Sequence, residues 1–68
     1  MHGDRKKLRA LLSALIAERE DCQLLYIPQG AMGMRRMIRA LLAMRTPKQS
    51  DPLAELIAEF HRTDIYGE

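Results

Sequence analysis

Tryptophan is missing from this chain, phenylalanine occurs once and tyrosine twice, so Phe60, Tyr26 and Tyr66 are its whole aromatic complement. Three rings exclude a large aromatic core. They also exclude a stacking platform for nucleic-acid bases, which needs several exposed rings. One cysteine, Cys22, excludes an intramolecular disulfide framework and any multi-cysteine zinc site. No apolar run approaches the roughly 18 residues of a membrane-spanning helix. The charged start, Met1 to Arg9, leads into the amphipathic stretch Ala10 to Ala17 and then Glu18, Arg19 and Glu20. An export signal would carry a uniformly apolar stretch and a small-residue cleavage site there. The expected location is therefore the cytoplasm.

What is present fits one small folded domain. Of 68 residues, 47% are apolar and 29% charged, a balance that is neither disordered nor membranous. A chain of this length buries only roughly 60% of its unfolded surface, and its core supplies about 3–5 kcal/mol. Such a domain relies on tidy helix packing, on self-association or on docking to something larger.

Three apolar stripes organise the chain. Leu8, Leu11, Leu12, Leu15 and Ile16 recur at i, i+3, i+4, i+7 and i+8, the spacing of one helix face. With Asp4 as N-cap, a first helix is predicted over about 4–21. Its charges oppose the macrodipole, since Arg5, Lys6, Lys7 and Arg9 open it while Glu18, Glu20 and Asp21 close it. Pro28 then forces Ile27 out of the helical region, so Leu24 to Gly30 reads as an extended connector, with Leu24, Leu25 or Ile27 tucked against the helices. Met34, Met37, Ile38, Leu41 and Leu42 repeat the first spacing and predict a second helix over about 33–45, stopped by Thr46-Pro47. Asp51 as N-cap and Pro52 in the first turn open a third, about 51–64, carrying Leu53, Leu56, Ile57 and Phe60. The expected architecture is all-α: one domain, a small three-helix bundle with an extended connector between helices 1 and 2.

Charge is segregated along the chain. Residues 1–29 carry a net +1. Residues 30–49 carry +5, from Arg35, Arg36, Arg39, Arg45 and Lys48 with no acid, and residues 50–68 carry −4. A basic helix followed by an acidic one predicts an antiparallel hairpin with complementary faces.

Catalytic and metal chemistry find little to work with. Cys22 with His2 or His61 as base lacks the spacing and the orienting group that an activated nucleophile requires. His61 with Asp64, or His2 with Asp4, offers two ligands where a tetrahedral site needs four. The bland reading of His61 is a cap near a helix C-terminus. Gly30-Ala31-Met32-Gly33 precedes a helix, as phosphate loops do, but the following Lys-Ser/Thr of such loops is absent. It reads as a turn ahead of the helix. No catalytic residue, cofactor or metal is expected, and the chain is read as a non-enzyme. Methionine is the remaining oddity. Met32, Met34, Met37 and Met44 crowd a short window, and flexible thioethers suit either an adaptable docking surface or a small core.

The order of these features resembles a known arrangement. A striped helix ends in Leu15-Ile16-Ala17-Glu18-Arg19, and Ile27-Pro28 connects it to Arg36-Met37-Ile38-Arg39-Ala40-Leu41-Leu42-Ala43-Met44-Arg45-Thr46-Pro47. Asp51 then opens a helix with Leu53, Leu56, Ile57 and Phe60. Over about residues 5–66 this resembles the helical N-terminal extension that precedes the macrodomain in bacterial zinc-dependent protein-ADP-ribose hydrolases. That family usually closes the matching segment with Asn-Val-Arg-Pro-Pro. Here Ala43-Met44-Arg45-Thr46-Pro47 keeps the Arg and the second Pro but not the Asn or first Pro. The family's pocket and zinc ligands lie in the macrodomain, so the resemblance implies an accessory, non-catalytic role.

The expected function is thus a helical interaction module that docks to a protein partner of macrodomain type or to itself. Met34, Met37, Leu41 and Met44 are the predicted apolar contacts, with Arg35, Arg36 and Arg39 as rim charges. The alternative is a small DNA-binding or antitoxin-like regulator in which Arg35, Arg36, Arg39 and Arg45 neutralise phosphates without reading bases.

Overall fold

The computed structural model describes residues 2–19 and 26–66, with side chains over 5–19 and 26–63. Three helices follow one another: α1 (His2–Glu18), α2 (Ala31–Ala43) and α3 (Ala54–Tyr66), with no strand among the described residues. The radius of gyration, 11.6 Å, is close to the ~11 Å of a compact chain of this length. None of the helices is long and apolar enough to cross a membrane.

The predicted stripes become the core. Leu8, Leu11, Leu12 and Leu15 of α1 are buried with Met34, Ile38 and Leu41 of α2 and Phe60 of α3. Ile16, Met37, Leu42, Leu53 and Ile57 pack half-buried around them. Of the connector, Tyr26 is exposed, while Ile27 is half-buried against the core as expected; Leu24 and Leu25 lie outside the described residues.

The helix ends differ from the predicted bounds for local reasons. Asp4 sits within the first turn of α1 rather than at its N-cap, since the helix already begins at His2. α1 stops at Glu18 rather than 21, where the Arg19 N–H donates to the Ile16 carbonyl at 3.0 Å and tightens the last turn. α2 starts two residues earlier than predicted and stops at Ala43, where Met44 and Arg45 donate back to Leu41 and Leu42, each at 3.2 Å. Asp51 does initiate α3, through a preceding turn. Its Oδ1 accepts the Leu53 N–H and its carbonyl the Ala54 N–H, both at 3.1 Å.

Contacts at the helix ends define the topology. Glu18, the last residue of α1, meets Arg45 just past α2, while Arg5 and Arg9 near the start of α1 face Met34 near the start of α2. The two helices therefore run in the same sense. A 17-residue helix is about 25 Å long. The chain has to return to its starting end before α2, and residues 26–30, which lead into α2 without helix, are the described part of that strap. α3 runs the other way: Asp51 before it lies beside the Glu18 end, and Glu59 pairs with Lys7 at 3.6 Å.

α1 packs against both other helices. α2 and α3 are antiparallel, as the charge pattern predicts, but the expected direct hairpin is absent. Among the described residues no Cα of α2 comes within 8 Å of one in α3. The leucine stripe of α1, the longest of the three, separates them.

Gly33 shows how tightly the strap is laid down. A Cβ there would stand 2.7 Å from the Pro28 Cβ, so the strap crosses the first turn of α2 where only a glycine fits. Gly33→Ala is expected to destabilise the fold by about 1–3 kcal/mol in chemical denaturation, despite the ~1 kcal/mol that alanine gains over glycine inside a helix. A stabilising Gly33→Ala would refute this contact. Leu12→Ala, at a fully buried position, should cost about 2–5 kcal/mol and remove most of the helical signal in far-UV circular dichroism. Leu56→Ala, where the side chain is 37% exposed, should cost under about 1 kcal/mol.

Candidate functional site

The predicted docking residues divide into two groups. Met34 and Leu41 are only 2% and 8% exposed and face α1, and Met37 packs against the same core. Met34 and Leu41 are thus turned inward onto the core, with Met37 half-buried beside them. Met44 stays exposed at the end of α2, as do Arg36 and Arg39 on its outer side, while Arg35 is half-buried beside Leu56 and Phe60. Met32, which the stripe omits, is the most exposed large apolar residue described.

Arg45, a phosphate-neutralising residue in the alternative reading, is engaged within the chain. Its guanidinium grips two carboxylates. Nε and Nη2 donate to Glu18 Oε1 and Oε2, each at 2.8 Å, while Nη1 and Nη2 donate to Asp51 Oδ2 and Oδ1, each at 2.6 Å. The planar fork suits such two-point contacts. Lys48 Nζ lies 3.7 Å from Glu18 Oε2, so two cations balance two anions. The Arg45 side chain is only 11% exposed and Asp51 13%, which keeps water from screening the pair fully.

The electrostatic consequences follow from those contacts. The Arg45 hydrogen bonds, aided by the Leu53 N–H, hold the Asp51 carboxyl down at about 2, and the same guanidinium lowers Glu18. Arg45 itself is held more firmly protonated than a free arginine, first by Asp51 and then by Glu18. The cluster ties the end of α1 to the segment between α2 and α3, so it is a structural clamp. Spacing in the chain gave no sign of it, since Glu18 and Arg45 stand 27 positions apart.

Two of the concave surfaces among the described residues are wide and open. Between α2 and α3 an open, largely apolar cleft of about 380 Å³ is lined by Leu42, Pro47, Ala54, Ile57, Ala58 and His61, with Arg45 and Asp51 at one end. Ala54, Ile57, Ala58 and His61 form one i, i+3, i+4, i+7 face of α3. At the opposite end of the molecule, Arg5, Lys6, Arg9, Gln29 and Met34 surround a second hollow of about 360 Å³.

Cys22 lies outside the described residues, as do the side chains of His2, Asp4 and Asp64. His61 is exposed on the cleft beside Phe60, the rings 5.8 Å apart. Among the described residues no three His, Cys, Asp or Glu side chains gather as metal ligands would. Gly30 is the N-cap of α2, so the glycine tetrad straddles a helix start instead of forming a free loop. Compared with protein-family models, with curated proteins and with solved structures, this chain matches none.

The clamp makes an acid-sensitive contribution to stability. Groups whose pKa falls on folding add stability above their ordinary value, roughly pH 4, and lose it as the pH drops toward about 2. Arg45→Met should lower the melting temperature at neutral pH by roughly 5–10 °C. The gap from the parent should narrow steadily between pH 4 and 2, as protonation strips Arg45 of its partners. A gap that stays constant across that range would refute the clamp.

Proposed function

We propose that this chain is a non-catalytic helical interaction module of the cytoplasm that associates with a second copy of itself through the cleft between α2 and α3. The open apolar cleft is the observation that carries this reading. A chain this small gains much from covering Leu42, Pro47 and Ile57, and the exposed Ala54 and Ala58 leave room for another helix to approach.

Charge favours a second copy as the occupant. α2 carries Arg35, Arg36 and Arg39 with no acid, whereas α3 carries Glu55, Glu59 and Asp64 against Arg62 alone. Two copies related by a twofold axis would set the basic helix of each against the acidic helix of the other, the self-complementarity of an isologous interface. The resemblance to the macrodomain-hydrolase extension would place a macrodomain in the cleft instead. The charge segregation needs no second protein, and the proposal follows it.

Sedimentation equilibrium provides the test. The parent is expected to dimerise at micromolar to submillimolar concentration, and Ala58→Glu, at an exposed position, to weaken association by roughly tenfold or more with its helical content intact. A parent that remains monomeric throughout, or a dimer that Ala58→Glu leaves unchanged, would overturn the reading.

A further inference from the structure

The opposite end of the molecule carries a different feature. Four cations, Arg5, Lys6, Lys7 and Arg9, occupy the first turns of α1, where the positive end of the helix dipole disfavours them. Arg5 and Arg9 also repel one another at i, i+4. Lys7 is compensated by Glu59 of α3. Among the described residues Arg5, Lys6 and Arg9 have no carboxylate partner, and all three are exposed. Folding alone gives no reason for this arrangement.

These three side chains form one wall of the hollow of about 360 Å³, and Gln29 and Met34 form the other. No acid lines it. Because α1 and α2 run in the same sense, the N-terminal ends of both helices lie at this end, and α2 starts at Gly30 with no side-chain cap. The field inside the hollow is therefore positive from the side chains and, more weakly, from the backbone. The cations ring a concavity instead of spreading along a ridge, which suits a compact ligand better than a duplex backbone.

We propose that the hollow bounded by Arg5, Lys6, Arg9 and Gln29 binds a compact oligophosphate anion. Arg5 and Arg9 supply planar guanidinium donors, Lys6 a point charge and Gln29 an amide, with Met34 beside Gln29 on the facing wall. This site stands apart from the cleft and does not depend on self-association.

Tripolyphosphate is the probe, added at low ionic strength to isotope-labelled protein and followed by amide chemical shifts and calorimetry. Saturable one-to-one binding is expected, with shifts concentrated at residues 5–9 and 29–34 and weakening as salt is raised. The triple variant Arg5→Gln/Lys6→Gln/Arg9→Gln should weaken it by roughly tenfold or more, while Arg36→Gln/Arg62→Gln leaves it unchanged. Without ligand, the triple variant should melt no lower than the parent, because it removes charges that oppose the dipole and one another. Absence of binding, or binding that survives in the triple variant, overturns the proposal. So does displacement of tripolyphosphate by duplex DNA at equal phosphate concentration, because the hollow would then serve a nucleic-acid backbone.

Discussion

The leucine stripe of α1 is the one surface that both other helices share. Leu8, Leu11, Leu12 and Leu15 lie in a single cluster with Met34, Ile38 and Leu41 from α2 and Phe60 from α3. α2 and α3 have no comparable contact with each other. The three helices therefore do not form a closed ring in which each supports the next. Loss of packing on α1 releases both partners together, which makes the first 18 residues decisive for a domain whose total stability is only a few kcal/mol.

Packing two helices on one in this way sets an electrostatic problem at each end. α1 and α2 point the same way, so their negative ends lie together, and Glu18 adds an anion there. Arg45 and Lys48 answer it, and Asp51 brings in the start of α3 through the same guanidinium. The unfavourable acid at the end of α1 thus becomes one jaw of the clamp. The positive ends also lie together, and there Arg5, Lys6 and Arg9 add charge of the same sign. Among the described residues one end is neutralised and the other is not. That asymmetry separates the structural cluster from the candidate site.

Much of the fold was legible because the signals were periodic. Stripes at i, i+3, i+4 and i+7 contain all eight residues that are buried among those described, and Pro28 marked the strap. Helix ends were less legible, since the i→i−3 bonds at Arg19, Met44 and Arg45 depend on where the chain turns next. The methionines are ambiguous for a related reason. Met34, Met37 and Leu41 belong to the core stripe and are also candidate contacts, and a methionine's softness does not say which use it serves. Burial settles that for Met34, while the exposed Met32 and Met44 fall outside the stripe. Arg45 was illegible in principle, because its choice of Glu18 over a phosphate depends on α1 and α2 being parallel, which no local pattern records.

The cleft follows from residue size as well as topology. Where α3 faces α2 it presents Ala54 and Ala58 beside Ile57, and α2 answers with Leu42. Alanine adds only a methyl group across a helix interface, and helices close on one another when interdigitating side chains fill the gap at roughly 8–10 Å between axes. Two alanines on the facing stripe leave that gap unfilled. The clamp holds the ends apart at a set distance, since Arg45 and Asp51 are locked at one end of the cleft by hydrogen bonds as short as 2.6 Å. Small side chains along the walls and a rigid hinge at one end keep the cleft open without any need for the chain to be poor in apolar residues. The leucines of α1 have simply been committed to the core that both other helices share.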